Sequence, residues 1–563
     1  MTAAAKLVIV EPCLEPAAPG SPSSHAEHLV VPLLAATDRR GVLVARHGVT
    51  RPAGLPPGCI LHDTLTFGPH AKVTAAGELD RLDDRGRARW RPQAPWAAWH
   101  RSRRREQRVA AFARGVAPAL AALGAGDVVL VSTASDLEVA GLARAIAAAA
   151  PPPGIGWHLW FHTPFERGFL ADRPRQGARL ARVAAFLAEA RRTAAGHVLQ
   201  FHATTAAIAA QVERLAVGPC DVLPWPVVVP PPDPAARSGI APLRIAALGD
   251  ARPEKNSHRL AEIVDAAAAL PVALSFTVQG NPGFAAASTK PEHEAVRRCL
   301  TALRGRPNVE LLAGPLDEAA YVGQLHRADV VLLAYDQDRY RTRLSAILLE
   351  ALATGAVPIV TGGGWMGRQL TEARRDHAAR IAASATGRQR LGFVRTPAIG
   401  RSGLTVHCAV PAGTAALLVA AEWTRRGREA LAEPPLRVGL GPDGAAFPPL
   451  PVTVACAPTT GDAALLLLPL PPSTAPRTVA LQVGPVRAAA GVVLATLAVD
   501  ALAGTAPPPA AAAGVIVDDV TDVPGALAEV ARHSDHYRRS AAALGVTLAA
   551  IHSPAALLGR LER

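Results

Sequence analysis

Two cations stand three positions apart in one loop of this chain. Gly249-Asp-Ala-Arg252-Pro-Glu-Lys255-Asn256 follows an apolar run and opens a helical segment. A helix start offers unpaired N–H groups and partial positive charge, and with Arg252 and Lys255 beside it the loop suits the oxygens of a diphosphate. The plainer reading is a solvated capping loop. Against that, the chain has only four lysines, Lys6, Lys72, Lys255 and Lys290, and the loop leaves the first strand of an α/β unit.

A second set lies in Tyr335-Asp-Gln-Asp-Arg339-Tyr-Arg341-Thr-Arg343-Leu-Ser345-Ala-Ile-Leu-Leu-Glu350-Ala-Leu-Ala-Thr-Gly355-Ala-Val-Pro358-Ile-Val-Thr361, which reads strand–loop–helix–turn–strand. Leu348, Leu349, Leu352 and Ala353 form the helix's apolar stripe. Glu350 between them is either an ordinary exposed carboxylate or, facing a cleft, an acceptor for ribose hydroxyls. Ser345 is either an N-cap or, with the adjacent N–H groups, a phosphate holder. His162 ends a strand in Trp157-His-Leu-Trp-Phe-His162-Thr-Pro-Phe-Glu166; taken alone, a histidine there is more often structural than reactive.

The elements that must position these residues come in two alternating series. Leu7–Val10, Val42–Ala45, Val128–Val131, His158–Phe161 and Val198–Phe201 read as strands, with helices such as Arg101–Leu123 and Leu137–Ala149 between them. Strands apolar on both faces and separated by helices predict a parallel sheet covered on both sides. Pro219–Pro234 is too proline-dense for a helix or a central strand and reads as a linker. The alternation restarts at Arg244–Leu248, Leu274–Gln279, Val309–Leu312, Val330–Ala334 and Val357–Thr361. The expected fold is therefore α/β, two doubly wound units whose strand ends face a cleft. From about Leu404, short apolar runs with turns between them (Val406–Val410, Ala416–Trp423, Leu436–Leu440, Val452–Cys456, Ala464–Leu468, Thr478–Val483 and Val492–Val499) predict an inserted β-sandwich. The expected division is 1–230, 241–399, 400–510 for the insert, and 511–563 returning to the second unit.

Composition narrows the class. Of 563 residues, half are apolar and 19% charged, enough for large cores and too apolar for a disordered chain. The formal charge is 59 − 46 = +13, which favours anionic partners without choosing among them. Six scattered cysteines with no CxxC pair indicate neither a zinc site nor a disulfide scaffold. The first residues lack a signal-peptide run and the apolar stretches are broken by proline, so the expected place is the cytoplasm. Arg101-Ser-Arg-Arg-Arg-Glu-Gln-Arg108 reads as a solvated helix face rather than a contact for nucleic acid or an anionic membrane.

The Arg-Pro-Glu-Lys loop, the Arg-x-Arg-x-Ser…Glu-Ala-x-x-x-Gly-x-Pro-Ile-Val segment and Gly362-Gly-Gly-Trp365-Met366 resemble the donor half of GT-B glycosyltransferases of the retaining, group 1 and group 4-like kind. The His162 segment is similar, more weakly, to trehalose-phosphate synthases. The resemblance spans roughly residues 1–395 and 511–563. It implies two Rossmann-like domains and hexosyl transfer from a nucleotide sugar to an acceptor, with no metal and no cofactor beyond the donor substrate. It places Arg252 and Lys255 on the donor diphosphate, Glu350 on the ribose and His162 near the transferred sugar, as the catalytic residue. Gly20 and His25 fall where the family has a glycine-rich loop near the donor phosphates.

There are departures. Thr342 stands where many relatives carry a second glutamate, Ala346 where glycine is common, and Asn256 replaces a usual glycine. Arg341 and Arg343 flank the Thr342 gap and are left to hold donor phosphate or sugar hydroxyls. The alternatives are a decayed GT-B protein that binds nucleotide sugar or glycan without turnover, and a GT-B epimerase; a pyridoxal-type phosphorylase would need a Schiff-base lysine. Expected partners are the nucleotide-sugar donor, an acceptor, and a glycan or protein at the insert, with nucleic acid excluded and peripheral membrane contact unsupported.

Overall fold

The structure, a computed structural model, describes residues 5–14, 25–66, 94–166, 173–215, 218–228, 242–281, 288–384, 387–395, 404–425, 436–442, 463–470, 473–485, 492–503, 513–532 and 534–562. Its first unit runs β1 (Lys6–Val10), α1 (His25–Ala36), β2 (Arg40–Arg46), β3 (Ile60–Leu65), α2 (Ala94–Leu120), β4 (Val128–Val131), α3 (Asp136–Ala149), β5 (Gly156–Phe161), α4 (Arg173–Thr193), β6 (Val198–Ala203), α5 (Ala206–Arg214) and β7 (Cys220–Val222). The strands form one parallel sheet in the order β3-β2-β1-β4-β5-β6-β7. Val8, Ile9, Val129 and Leu130 are buried on both faces of its centre, as the apolar runs require.

Three local expectations change. The segment 219–234 is not wholly a linker: Cys220–Val222 pairs with β6, Phe201 opposite Cys220. These three residues include no proline, and the edge of a sheet tolerates prolines alongside. Strand β3 was hidden because Ile60-Leu-His-Asp-Thr-Leu65 mixes polar and apolar residues. Helix α2 begins at Ala94 rather than Arg101, so the basic run lies within it; Arg103 is exposed there and Glu106 pairs with Arg144 at 2.6 Å.

The second unit continues with β8 (Leu243–Ala247), α6 (Leu260–Ala267), β9 (Leu274–Gln279), α7 (Pro291–Leu303), β10 (Val309–Leu312), α8 (Glu318–Arg327), β11 (Val330–Leu333), α9 (Gln337–Tyr340), α10 (Ala346–Ala353), β12 (Val357–Thr361) and α11 (Trp365–Ser384). Among the described residues, seven antiparallel strands follow: β13 (Arg388–Arg395), β14 (Leu404–Val410), β15 (Thr414–Arg425), β16 (Leu436–Pro442), β17 (Ala463–Pro469), β18 (Arg477–Pro485) and β19 (Val492–Ala503). They form two sheets, ordered β13-β19-β15-β17 and β14-β18-β16. The antiparallel pairing begins at Arg388, where buried Asp500 of β19 receives Arg388 Nε at 2.7 Å and also binds Arg390. Val452–Cys456 lies outside the described residues.

The chain then returns to the second parallel sheet. Strand β20 (Val515–Val517) pairs with β12, Ile359 opposite Val515, and completes the order β10-β9-β8-β11-β12-β20. Both parallel sheets thus carry the Rossmann order, two strands to one side of the first and the later ones to the other. This is the two-unit α/β architecture expected of a GT-B fold. Their carboxyl rims meet where the Thr205 hydroxyl, after β6, donates to the Thr342 carbonyl at 2.7 Å.

Helices α12 (Val523–Arg532), α13 (Ser534–Ile551) and α14 (Pro554–Leu561) close the chain. The segment Tyr537–Leu561, with an 18-residue window of mean hydropathy 1.7, is long and apolar enough to cross a membrane by those measures alone. It is broken between α13 and α14, and Leu544, Leu548, Leu557 and Leu561 are buried in the core. Gly545 makes that packing possible: a Cβ there would lie 2.0 Å from the Leu352 carbonyl oxygen of α10. The tail also ties the units together, because the backbone N–H of Val227 donates to the His552 carbonyl at 2.7 Å and that of Trp225 to His552 Nδ1 at 3.0 Å.

Candidate functional site

In the second sheet β8 and β11 are neighbours whose connections leave in opposite directions, so a crevice opens beyond their carboxyl ends. The loop after β8 supplies one wall. Gly249 has φ +85°, and a Cβ there would fall 2.5 Å from Lys255 Nζ, so both the turn and the lysine need glycine. Arg252, Pro253, Glu254 and Lys255 then wind into a single 3-10 turn, Pro253–Lys255. Asn256 adopts φ +55° and its amide donates to the Ala334 carbonyl, after β11, at 2.9 Å. Asparagine tolerates this left-handed backbone, which accounts for its replacing glycine.

Lys255 is a half-buried ammonium with its Nζ 5.6 Å from the Tyr335 ring centroid, within cation–π reach. Among the described residues its ammonium has no ion pair or hydrogen bond. Burial first, then the nearby Arg252 charge, lowers its pKa to about 8, while the fields of Asp250, Glu254 and Glu350 act in the opposite sense. The Arg252 guanidinium pairs with Asp250 at 2.7 Å, and Asp250 also receives the Asn281 amide at 2.7 Å. Gly249, Asp250, Lys255, Asn256, Gln279 and Tyr335 enclose a space of about 20 Å³, room for one water; a larger ligand would lie along the mouth, where the two cations are.

On the other wall, Glu350 of α10 is half-buried and accepts the Tyr321 hydroxyl of α8 at 2.5 Å. Burial, followed by the Glu350 charge, holds the Tyr321 phenol well above its usual pKa, so it remains a donor. Ser345 is buried at the N-cap position of α10, yet makes no side-chain capping bond. The half-buried Arg343 has its Nε without a hydrogen-bond partner among the described residues. Thr342 contributes its carbonyl to the contact with Thr205.

The first sheet repeats the geometry at β1 and β4. Glu11, immediately after β1, is fully buried and accepts Ser132 Oγ at 2.6 Å, Thr133 Oγ1 at 3.0 Å and the Cys13 N–H at 2.7 Å. Burial raises its pKa, and these hydrogen bonds partly offset that. His162, at the end of β5, binds the Ser132 carbonyl through Nε2. A carbonyl only accepts, so Nε2 carries the proton. Its ring lies 4.7 Å from Trp160 and 5.2 Å from Trp225, centroid to centroid.

Arg252 and Lys255 thus stand on one wall of the second sheet's crevice and Glu350, Ser345 and Arg343 on the other, while His162 stands on the opposing rim. Gly20 lies outside the described residues, and His25 is placed only as the first residue of α1. Sequence reading missed Tyr321, Asp250 and Glu11. Two signals pointed to them: three of the chain's four tyrosines are Tyr321, Tyr335 and Tyr340, and Glu11 is a carboxylate set directly after a wholly apolar strand.

No family model matches the chain, and no curated protein matches it. Solved structures similar to it include the sucrose-phosphate synthase of Thermosynechococcus elongatus, 12% identical, with a TM-score of 0.42 over 68% of this chain and 90% of that one. Anabaena HepE in complex with UDP and glucose is 12% identical, with a TM-score of 0.39 over 65% of this chain and 83% of that one. The UDP-forming trehalose-phosphate synthase of Burkholderia xenovorans is 13% identical, with a TM-score of 0.41 over 65% and 86%. The two strand orders, and not these similarities, carry the assignment of the fold.

Proposed function

We propose that the chain is a glycosyltransferase of the hexosyl type, moving a sugar from a nucleotide-sugar donor to an acceptor. One observation carries the reading: at the second sheet's switch point the Lys255 ammonium lacks a carboxylate partner among the described residues and stands beside Arg252. A diphosphate supplies the missing anion. As the bond from the anomeric carbon to the phosphate oxygen breaks, charge grows on the departing nucleoside diphosphate, and the two cations stabilise it. Arg252 would exchange Asp250 for a phosphate oxygen. Glu350, fixed by Tyr321, would accept the ribose hydroxyls, and Ser345 and Arg343 would hold phosphate or sugar oxygens.

In this reading His162 faces the transferred sugar from the first unit. The reaction asks for no metal, since side-chain cations meet the leaving charge, and turnover unaffected by a chelator is the expected result. The antiparallel strands between β12 and β20 are proposed as an inserted β-sandwich of about 400–510 that contacts glycan or protein. Screening UDP-, GDP- and ADP-sugars for thermal stabilisation identifies the donor, because a ligand bound only by the native state raises apparent stability. Release of nucleoside diphosphate in the presence of acceptor candidates then measures transfer.

A second reading follows from Thr342, whose carbonyl serves an interdomain contact where a carboxylate would be expected. In it the chain is a GT-B protein that binds its nucleotide sugar without turnover. Stabilisation by a donor, with no nucleotide released across a wide acceptor set, would favour that reading.

A further inference from the structure

A second cavity, of about 400 Å³, opens where the two units and the tail meet, and the donor residues take no part in it. Val222 and Leu223, at the end of β7, form one side, Trp365 at the start of α11 another, and Ile551 and Ala556 of the tail a third. Its volume falls in the range of about 300–1,000 Å³ usual for small-molecule sites. Most of its surface is apolar, and two large hydrophobic side chains on its walls stay open to solvent, Val222 at 43% and Ile551 at 53%.

Among the described residues, one charged side chain lines the cavity. Arg560 of α14 is exposed, and among the described residues it has no ion pair. A guanidinium presents a fork of N–H donors that fits a carboxylate or a phosphate. An apolar chamber with one unpaired guanidinium at its wall matches a ligand built the same way.

We propose that this cavity binds a soluble amphiphile with a single oxyanion head, the chain lying against Val222, Trp365 and Ile551 and the head pairing with Arg560. None of the residues assigned to the donor lines this cavity, and the proposal does not rest on the transferase reading. Its walls come from both units and from the tail, so occupancy would also brace the two units against each other.

Calorimetric titration of the full chain with hexyl, octyl and decyl phosphate, below their micellar concentrations, tests this. Saturable one-to-one binding is expected, with affinity rising by up to roughly fourfold per added methylene, and octanoate compared with octyl phosphate shows which head is preferred. Inorganic phosphate and octyl glucoside, each carrying half of the recognised chemistry, should bind at least tenfold more weakly. Arg560→Gln should weaken octyl phosphate roughly tenfold, while Arg252→Ala should leave it unchanged. Ala556→Trp fills the chamber and should remove binding; if that variant does not fold, the chain-length series and Arg560→Gln decide. Affinity independent of chain length, inorganic phosphate binding as well as the amphiphile, or an unaltered affinity in Arg560→Gln would overturn the proposal.

Discussion

The Tyr321 hydroxyl donates to Glu350 Oε2 at 2.5 Å, joining α8 to α10 across the wall of the second sheet's crevice. Burial and the neighbouring carboxylate keep that phenol protonated, so it remains a donor as pH rises. Glu350 is therefore held in one orientation. A fixed carboxylate is a better acceptor for a pair of ribose hydroxyls than one that must first be ordered.

Tyr321→Phe removes only the donor. It should weaken nucleotide-sugar binding about tenfold and lower stability by about 1–2 kcal/mol, whereas Glu350→Gln should weaken binding at least as much with less effect on stability. Titration calorimetry beside thermal melts separates the two quantities. Donor affinity unchanged in both variants would remove Glu350 from the site.

The pH dependence of donor binding follows from Lys255. With a pKa of about 8, depressed by burial and Arg252, the side chain is an ammonium below that value and a neutral amine above it. Only the ammonium pairs with a diphosphate, so affinity should fall as pH rises, by about tenfold between pH 7 and 9. Lys255→Arg, which stays charged, should flatten that fall. Affinity constant over the same interval in the wild type would exclude the ammonium from the contact.

Acid should destabilise the first unit through a buried histidine pair. His158 Nδ1 lies 2.9 Å from His202 Nε2, and both residues are buried. Burial, joined at His158 by the His202 charge, lowers the pKa values to about 3 and about 4. The unfolded chain takes up these protons near pH 6.5 and the folded chain does not, so stability falls as pH drops from about 6.5 towards 4. The loss should be on the order of a few kcal/mol. Denaturant titrations at pH 7, 5 and 4 should show a steeper fall for the wild type than for a His158→Leu, His202→Leu double variant; equal slopes would contradict the neutral pair.

Gly545→Ala tests the docking of the tail. The added methyl would meet the Leu352 carbonyl oxygen at 2.0 Å, so α13 and α10 must separate, at a cost of about 1–3 kcal/mol or more. A melt showing no loss of stability would mean the two helices do not pack as closely as described.

How legible each part was depends on where its determining contacts lie. The central strands of both sheets could be read because apolar faces on both sides are written into consecutive residues, as in Val128–Val131 and Val330–Leu333. Some edges could not: β7 is three residues long, and β13 reads Arg-Gln-Arg-Leu-Gly-Phe-Val-Arg, charged because Arg388 and Arg390 serve Asp500, 112 and 110 residues away. The Arg252–Lys255 pair stood out by local spacing. Tyr321 and Asp250 did not, since the first matters through a carboxylate 29 residues on and the second by restraining Arg252. Asn256 looked like a departure from a glycine position, yet its φ of +55° and its bond to Ala334 show the same backbone kept by other means.

Calorimetric titration of the wild type and of Lys255→Ala with UDP-, GDP- and ADP-sugars at pH 7 addresses the diphosphate site itself. At least one donor should bind the wild type at a single site, and loss of the ammonium should weaken that donor by about tenfold to a hundredfold while the melt of the variant stays close to that of the parent. No heat of binding from any of the sugar nucleotides, or an affinity that the variant leaves intact, would contradict the assignment of this crevice to a nucleotide-sugar diphosphate.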